Sequence, residues 1–173
     1  MAVQIKFKSS GLKTNSANLI FFVDENFNIS GLKKHITSNE FSYISDLLKT
    51  SDLKKDLLFF EINSKKTVFL ASIKKDIEIS DIENLGAKFH SYINYDKKKD
   101  YFVNSDTINS KIKNFVGYFL HGLKLKSYEF NIYKSKKNKR LVTINVIGSK
   151  NKISTKDHLR FKALEEGSFF ARD

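Results

Sequence analysis

With 173 residues, 40% of them hydrophobic, the chain is long enough to bury one sizeable core and short for two. It has no cysteine, which excludes a disulfide framework and any thiolate zinc site, and its apolar runs at 19–23 and 57–60 are far too short to span a bilayer. The net charge of +12 invites a nucleic-acid reading, yet only Arg140, Arg160 and Arg172 among the 31 basic residues are arginine. Lysine is a phosphate point charge rather than a reader of base edges, so any such contact is expected to be blind to sequence and sensitive to salt. Residues 1–6 carry no apolar signal region, which points to a cytoplasmic protein with no membrane association.

In chain order, residues 3–7 and 18–23 read as strands, the second apolar on both faces and therefore central in a sheet. Gly11, Asn15 and Ser16 punctuate the gap, and Asp24-Glu25-Asn26 ends the second strand. Thr37-Ser38-Asn39-Glu40 is a capping box opening a helix in which Phe41, Ile44, Leu47 and Leu48 keep the helical period, ending near Thr50. Residues 55–61 and 67–71 form two strands around the Asn63-Ser64-Lys65-Lys66 turn. A second capping box, Ser80-Asp81-Ile82-Glu83, starts a helix striped by Ile82, Leu85, Phe89, Tyr92 and Ile93.

Residues 100–103 make a short strand. Ile108, Ile112, Phe115, Val116, Phe119, Leu120 and Leu123 then predict the clearest helix, relaxed near its end by Gly122. Residues 128–133 and 141–147 have strand composition on either side of a basic turn, a late hairpin. The polar stretch 148–152 marks a boundary, after which Ser154 caps a last helix with Asp157 reaching back. Leu159, Ala163 and Phe170 share one face of it, with Gly167 between them. No glycine cap or proline ends that helix, and the expectation is a piece of something longer. The order predicts an α/β fold, a single three-layer domain with a mixed β-sheet between helices over residues 1–149, followed by a helical segment at 150–173.

Ala163-Leu164-Glu165-Glu166-Gly167 followed by Ala171-Arg172-Asp173 resembles the helix that enters the catalytic domain of the bacterial-type cytosolic leucyl aminopeptidases. Upstream, Gly122-Leu123-Lys124-Leu125-Lys126-Ser127-Tyr128-Glu129-Phe130-Asn131-Ile132-Tyr133-Lys134 is similar to that family's glycine-leucine…tyrosine-x-phenylalanine…tyrosine-lysine segment. The resemblance implies that residues 1–149 are the macro-domain-like N-terminal domain of such a metalloexopeptidase and 150–173 the start of its connecting helix. It implies a parent that removes N-terminal residues from peptides with two divalent metals, zinc, manganese or magnesium, and that assembles as a homohexamer. The partner of this chain is then its own catalytic domain, and the isolated domain is expected to be a monomer or weak oligomer. The family's Asn-Thr-Asp-Ala-Glu-Gly-Arg motif does not occur here, so no catalytic or metal-binding residue carries over and the chain alone is expected to be inactive. Its role is structural, in assembly or in control of access.

Other constellations point to little chemistry. His35, His90, His121 and His158 show no metalloprotease spacing and read as surface or boundary residues, His121 without an identifiable partner. The seven glycines are isolated, so none builds a phosphate loop, and Leu70-Ala71-Ser72 stands where many family members have a glycine-rich turn. Glu165-Glu166 and Asp24-Glu25 read as solvated pairs, and there is no Gly-x-Ser-x-Gly elbow. Phe115, Phe119, Tyr128, Phe130 and Tyr133 fit a core better than a stacking platform. The sharpest basic clusters are Lys97, Lys98 and Lys99, and Lys134, Lys136, Lys137, Lys139 and Arg140. They read as solvated turns, or as phosphate contacts of a sequence-nonspecific nucleic-acid-binding module, which is the alternative function; some members of the resembled family bind DNA.

Overall fold

A computed structural model describes residues 2–8, 18–128, 140–149 and 155–172. Among these residues, six strands and four α-helices follow in order: β1 (Ala2–Phe7), β2 (Asn18–Asp24), α1 (Ser38–Leu48), β3 (Leu57–Asn63), β4 (Lys66–Ile73), α2 (Ile79–Tyr95), β5 (Asp100–Asn104), α3 (Phe115–Ser127), β6 (Leu141–Ile147) and α4 (Thr155–Arg172). The strands form one sheet in the order β1-β6-β5-β2-β4-β3. All neighbours are parallel except β3, which runs antiparallel to β4 at the edge.

The alternation of side chains along β2 builds two cores at once. Ile20 and Phe22 face a core with Phe69 and Ala71 of β4, Val103 of β5 and the inner stripes of α2 and α3. Leu19, Phe21 and Val23 face the opposite core with Phe27, Ile29, Leu32 and Ile44. The first core is knit by edge-on rings, Phe22 against Phe115 at 5.3 Å and Phe119 at 5.4 Å, and Phe69 against Phe89 at 5.1 Å, contacts that add to the area term. The result is the three-layer α/β domain that the order of elements predicts.

α1 begins where its sequence says. The Thr37 hydroxyl accepts the Glu40 amide, and the Glu40 carboxylate accepts the Thr37 amide. Lys66, fully buried at the start of β4, donates to the same carboxylate at 2.7 Å and so ties the sheet to the first turn of α1.

Four expectations need correction. α2 is capped by Glu78 with Asp81 rather than by Ser80 with Glu83; the Glu78 amide donates to Asp81 and puts Ser80 inside the first turn. α3 starts at Phe115, not near Ile108, because Asn114 takes a left-handed φ of 60° that a continuing helix does not tolerate. Ile108 and Ile112 still pack on the first core, so their spacing recorded burial without helix. Gly122 does not relax the end of α3. It lies inside α3, where a methyl group would strike the Glu83 carbonyl, while a methyl on Gly86 would strike the Phe119 carbonyl. These two glycines let α2 and α3 cross backbone to backbone.

The late hairpin is the fourth. β6 is flanked by β1 on one side and β5 on the other, both parallel, so it lies within the sheet. Residues 129–133 of the expected partner strand, like the Gly11, Asn15 and Ser16 punctuation and the Ser154 cap, lie outside the described residues. Among the described residues no helix is long and apolar enough to cross a membrane.

Candidate functional site at the carboxyl edge of the sheet

β2 and β5 pair only over Asn18–Ile20, and then the sheet splits. Beyond that point the Phe22 amide donates to the Thr107 hydroxyl at 2.9 Å, and the same hydroxyl donates to the Asn104 carbonyl. A side chain has replaced the strand partner. The chain leaving β2 runs to the α1 face while the chain leaving β5 runs to the α3 face, so the two loops diverge. Open parallel sheets place ligand crevices at such divergent strand ends. Here the opening is a cleft of about 710 Å³, floored by Phe22, Val23, Ile73 and Ile112 and walled by the 24–35 and 106–112 loops.

The first wall is held stiffly. Asp24 Oδ1 accepts the amides of Asn26 and Asn28, and Phe27 between them takes φ 55° with its ring buried in the second core. A bulky side chain in that region is strained, so burial of the ring offsets the cost of the turn. On the other wall Asp106 Oδ1 accepts both the amide and the hydroxyl of Ser149. Both acids of the cleft are therefore engaged. Of its lysines, Lys74 pairs with Asp56 at 3.3 Å and Lys75 with Glu25 at 3.7 Å, whereas Lys34 and Lys111 form no ion pair among the described residues. The rim is electropositive.

His35 lines the same cleft and stacks on Phe21 at 5.7 Å. Asn104 Oδ1 accepts the Asp106 amide, which turns its Nδ2 toward His35 Nδ1 at 3.2 Å. The amide donates there, so the imidazole proton sits on Nε2, a buried atom with no hydrogen-bond partner among the described residues. Burial, aided by the neighbouring Lys34 charge, holds the His35 pKa below its ordinary 6.5 despite an opposing pull from Asp106.

Sequence reading placed its candidate contacts elsewhere. Lys97 and Lys99 are exposed, but Lys98 hydrogen-bonds the Thr67 hydroxyl with Nζ and is half-buried. Arg140 donates to the Asn94 carbonyl at 3.1 Å and the Lys98 carbonyl at 2.6 Å, so it fastens β6 to the 94–98 segment. Lys134, Lys136, Lys137 and Lys139 lie outside the described residues. Lys97, Lys98, Lys99 and Arg140 do not line the cleft. Its signal was present only as loops following the two central strands, which means nothing until the strand order is known.

Three further expectations are overturned at α4. Glu165 is buried, not solvated, and His121 does have a partner: its Nδ1 lies 3.1 Å from Glu165 Oε1, while Lys124 donates to Oε2 at 3.2 Å. Phe161 seals the contact, stacked on His121 and edge-on to Tyr118. The inward face of α4 is thus Phe161 and Glu165, and the predicted face of Leu159, Ala163 and Phe170 is exposed.

Among the described residues no three His, Cys, Asp or Glu side chains gather so as to hold a metal ion, so these residues do not fit the two-metal centre implied for the parent.

No family model matches the sequence, and no curated protein matches it in sequence. The fold does have solved counterparts. A tomato leucine aminopeptidase mutant superposes with a TM-score of 0.62 at 16% identity, covering 96% of this chain and 36% of that one. The bottromycin maturation enzyme BotP, in complex with Mn, superposes with a TM-score of 0.60 at 8% identity, covering 91% of this chain and 31% of that one. At these identities the likeness shows the fold alone, and the chain spans about a third of the length of either protein.

Proposed function

We propose that this chain is the non-catalytic N-terminal domain of a leucyl-aminopeptidase-like metallopeptidase, with a structural, assembly or access-control role. The observation that carries the reading is the pair of superpositions, in which nearly all of this chain matches about a third of a leucine aminopeptidase and of a manganese-bound enzyme. The resemblance of the Ala163–Asp173 and Gly122–Lys134 segments to the aminopeptidase family supports it independently. In the parent the metals would polarise the scissile carbonyl and activate water. The partner of this domain is then its own catalytic domain, and the parent is a hexamer working in the cytoplasm. Purified chain supplied with manganese is expected to hydrolyse leucine anilides no faster than a mock preparation, and turnover above that background contradicts the non-catalytic role.

A second reading, sequence-blind nucleic-acid binding, is favoured by one feature: Lys97 and Lys99 stand exposed beside Tyr95, a residue that is itself 87% exposed. It predicts weak binding that falls steeply with salt and is lost on charge reversal at Lys97 and Lys99 or at Lys136, Lys137 and Lys139. Gel shift at low ionic strength checks it; no shift there counts against it.

A further inference from the structure

We propose that β3 is the seam of a two-fold dimer, pairing antiparallel with β3 of a second copy of this chain so that one sheet runs through both. β3 hydrogen-bonds β4 on one side and, among the described residues, has no strand on the other. The Ser72 amide donates to the Asp56 carbonyl at 2.8 Å, and the same register continues through Leu58 with Leu70 and Phe60 with Val68. Antiparallel bonds alternate, so the amides and carbonyls of Leu57, Phe59 and Glu61 point away from β4. A row of such groups is a template for another strand unless something blunts it.

Residues 57–61 carry no lysine, proline or glycine, and the irregularity that bends β3 lies past them, between Glu61 and Asn63. The opposite edge differs, because β1 carries Lys6 and leads into Lys8. Phe59 is 45% exposed although its ring leans on Tyr92 at 5.0 Å and on Phe69 at 6.0 Å, which leaves apolar surface uncovered along the seam. Charge then selects the occupant and its direction. Lys55 precedes the strand and Glu61 lies near its end, both exposed and neither in an ion pair among the described residues. A second copy laid antiparallel about an axis at Phe59 sets Phe59 against Phe59 and Glu61 opposite Leu57, with Lys55 on the diagonal to Glu61 at both ends. Parallel pairing sets lysine beside lysine and glutamate beside glutamate. The strand complements itself in one direction only. A seam of one strand from each copy is small, so the dimer is weak, with a dissociation constant of about 10–100 µM.

The test is sedimentation equilibrium of the whole chain over about a hundredfold range of concentration spanning that constant, with amide hydrogen exchange measured at both ends of the range. The mass is expected to rise from monomer to dimer and stop there. The Phe59 and Glu61 amides are expected to exchange fast in the monomer and slowly in the dimer, while those of Leu58 and Phe60, bonded to β4, stay slow in both. Phe59→Lys is expected to weaken the dimer about tenfold or more, whereas Tyr43→Lys, at a residue equally exposed on α1, leaves it within about twofold. Glu61→Lys is expected to weaken it about threefold or more, and Lys55→Glu/Glu61→Lys, which exchanges the two charges, to restore it. A monomer at every concentration, assemblies that grow past the dimer, Phe59 and Glu61 amides whose exchange does not change with concentration, or a charge exchange that fails to restore what Glu61→Lys loses each overturns the proposal. None of these outcomes bears on the aminopeptidase reading, which concerns a different property of the chain.

Discussion

Lys66 is fully buried, and the ion it meets is one residue that does two jobs. Glu40 closes the capping box of α1 and neutralises the Lys66 ammonium. Burial alone would raise the Glu40 pKa, but the hydrogen bond from Lys66, the Thr37 amide and the Lys66 charge together hold it below the ordinary 4.5. Glu40→Gln keeps the box geometry and deletes only the charge that the buried Lys66 ammonium meets at 2.7 Å. The expected loss is about 3 kcal/mol by urea denaturation, because removing one partner of a buried pair costs more than the pair gains over an apolar substitute. The sign with pH follows: the stabilisation is present above pH 4.5 and is lost as pH falls through the depressed folded value, so the variant should show a flatter acid limb.

His35 gives a second window. Its folded pKa is also depressed, so the unfolded chain takes up a proton first and stability declines as pH falls through 6.5 toward the folded value. Denaturation at pH 7.5 and 5.5 is expected to show that decline in the wild type and to lose much of it in His35→Phe, which keeps the stacking on Phe21. The partners of such buried groups were not legible in the sequence. Glu40 and Lys66 stand apart in the chain, as do His121 and Glu165, and only the fold brings them together.

At the scale of elements, the α2–α3 crossing is the closest backbone approach among the described glycines. Gly→Ala inside a helix is ordinarily worth about 1 kcal/mol of added stability. At Gly86 or Gly122 the methyl meets a fixed carbonyl of the other helix, and overpacking of about 1–3 kcal/mol or more overrides that gain. Gly167 on α4 faces open space, so Gly167→Ala is expected to raise stability by about 1 kcal/mol or slightly less. Thermal melts of the three single variants should therefore split in sign, and a stabilised Gly86→Ala would refute the close crossing.

The elements themselves were largely legible, because β2 is apolar on both faces and α1 carries a complete capping box. What was not legible is instructive. Ile108 and Ile112 kept a helical period while lying in a loop, since periodicity reports which residues are buried, and a left-handed Asn114 leaves no mark on it. On α4 a buried carboxylate occupies the inward face, so hydrophobicity pointed to the wrong side.

For the whole molecule, strand order decides everything that local pattern leaves open. β6 inserts between β1 and β5, and β4 lies on the far side of β2, arrangements set by crossovers rather than by any single segment. The cleft exists because β2 and β5 are neighbours whose exits go to opposite faces, which is why no motif announced it. The same architecture links this chain in fold to about a third of a leucine aminopeptidase. The accessory-domain proposal is tested most directly by reading the source locus past the codon for Asp173. It predicts continuation into a Leu-Val-Asn-x-Pro-like step and a later Asn-Thr-Asp-Ala-Glu-Gly-Arg motif; a stop codon immediately after Asp173 would contradict it.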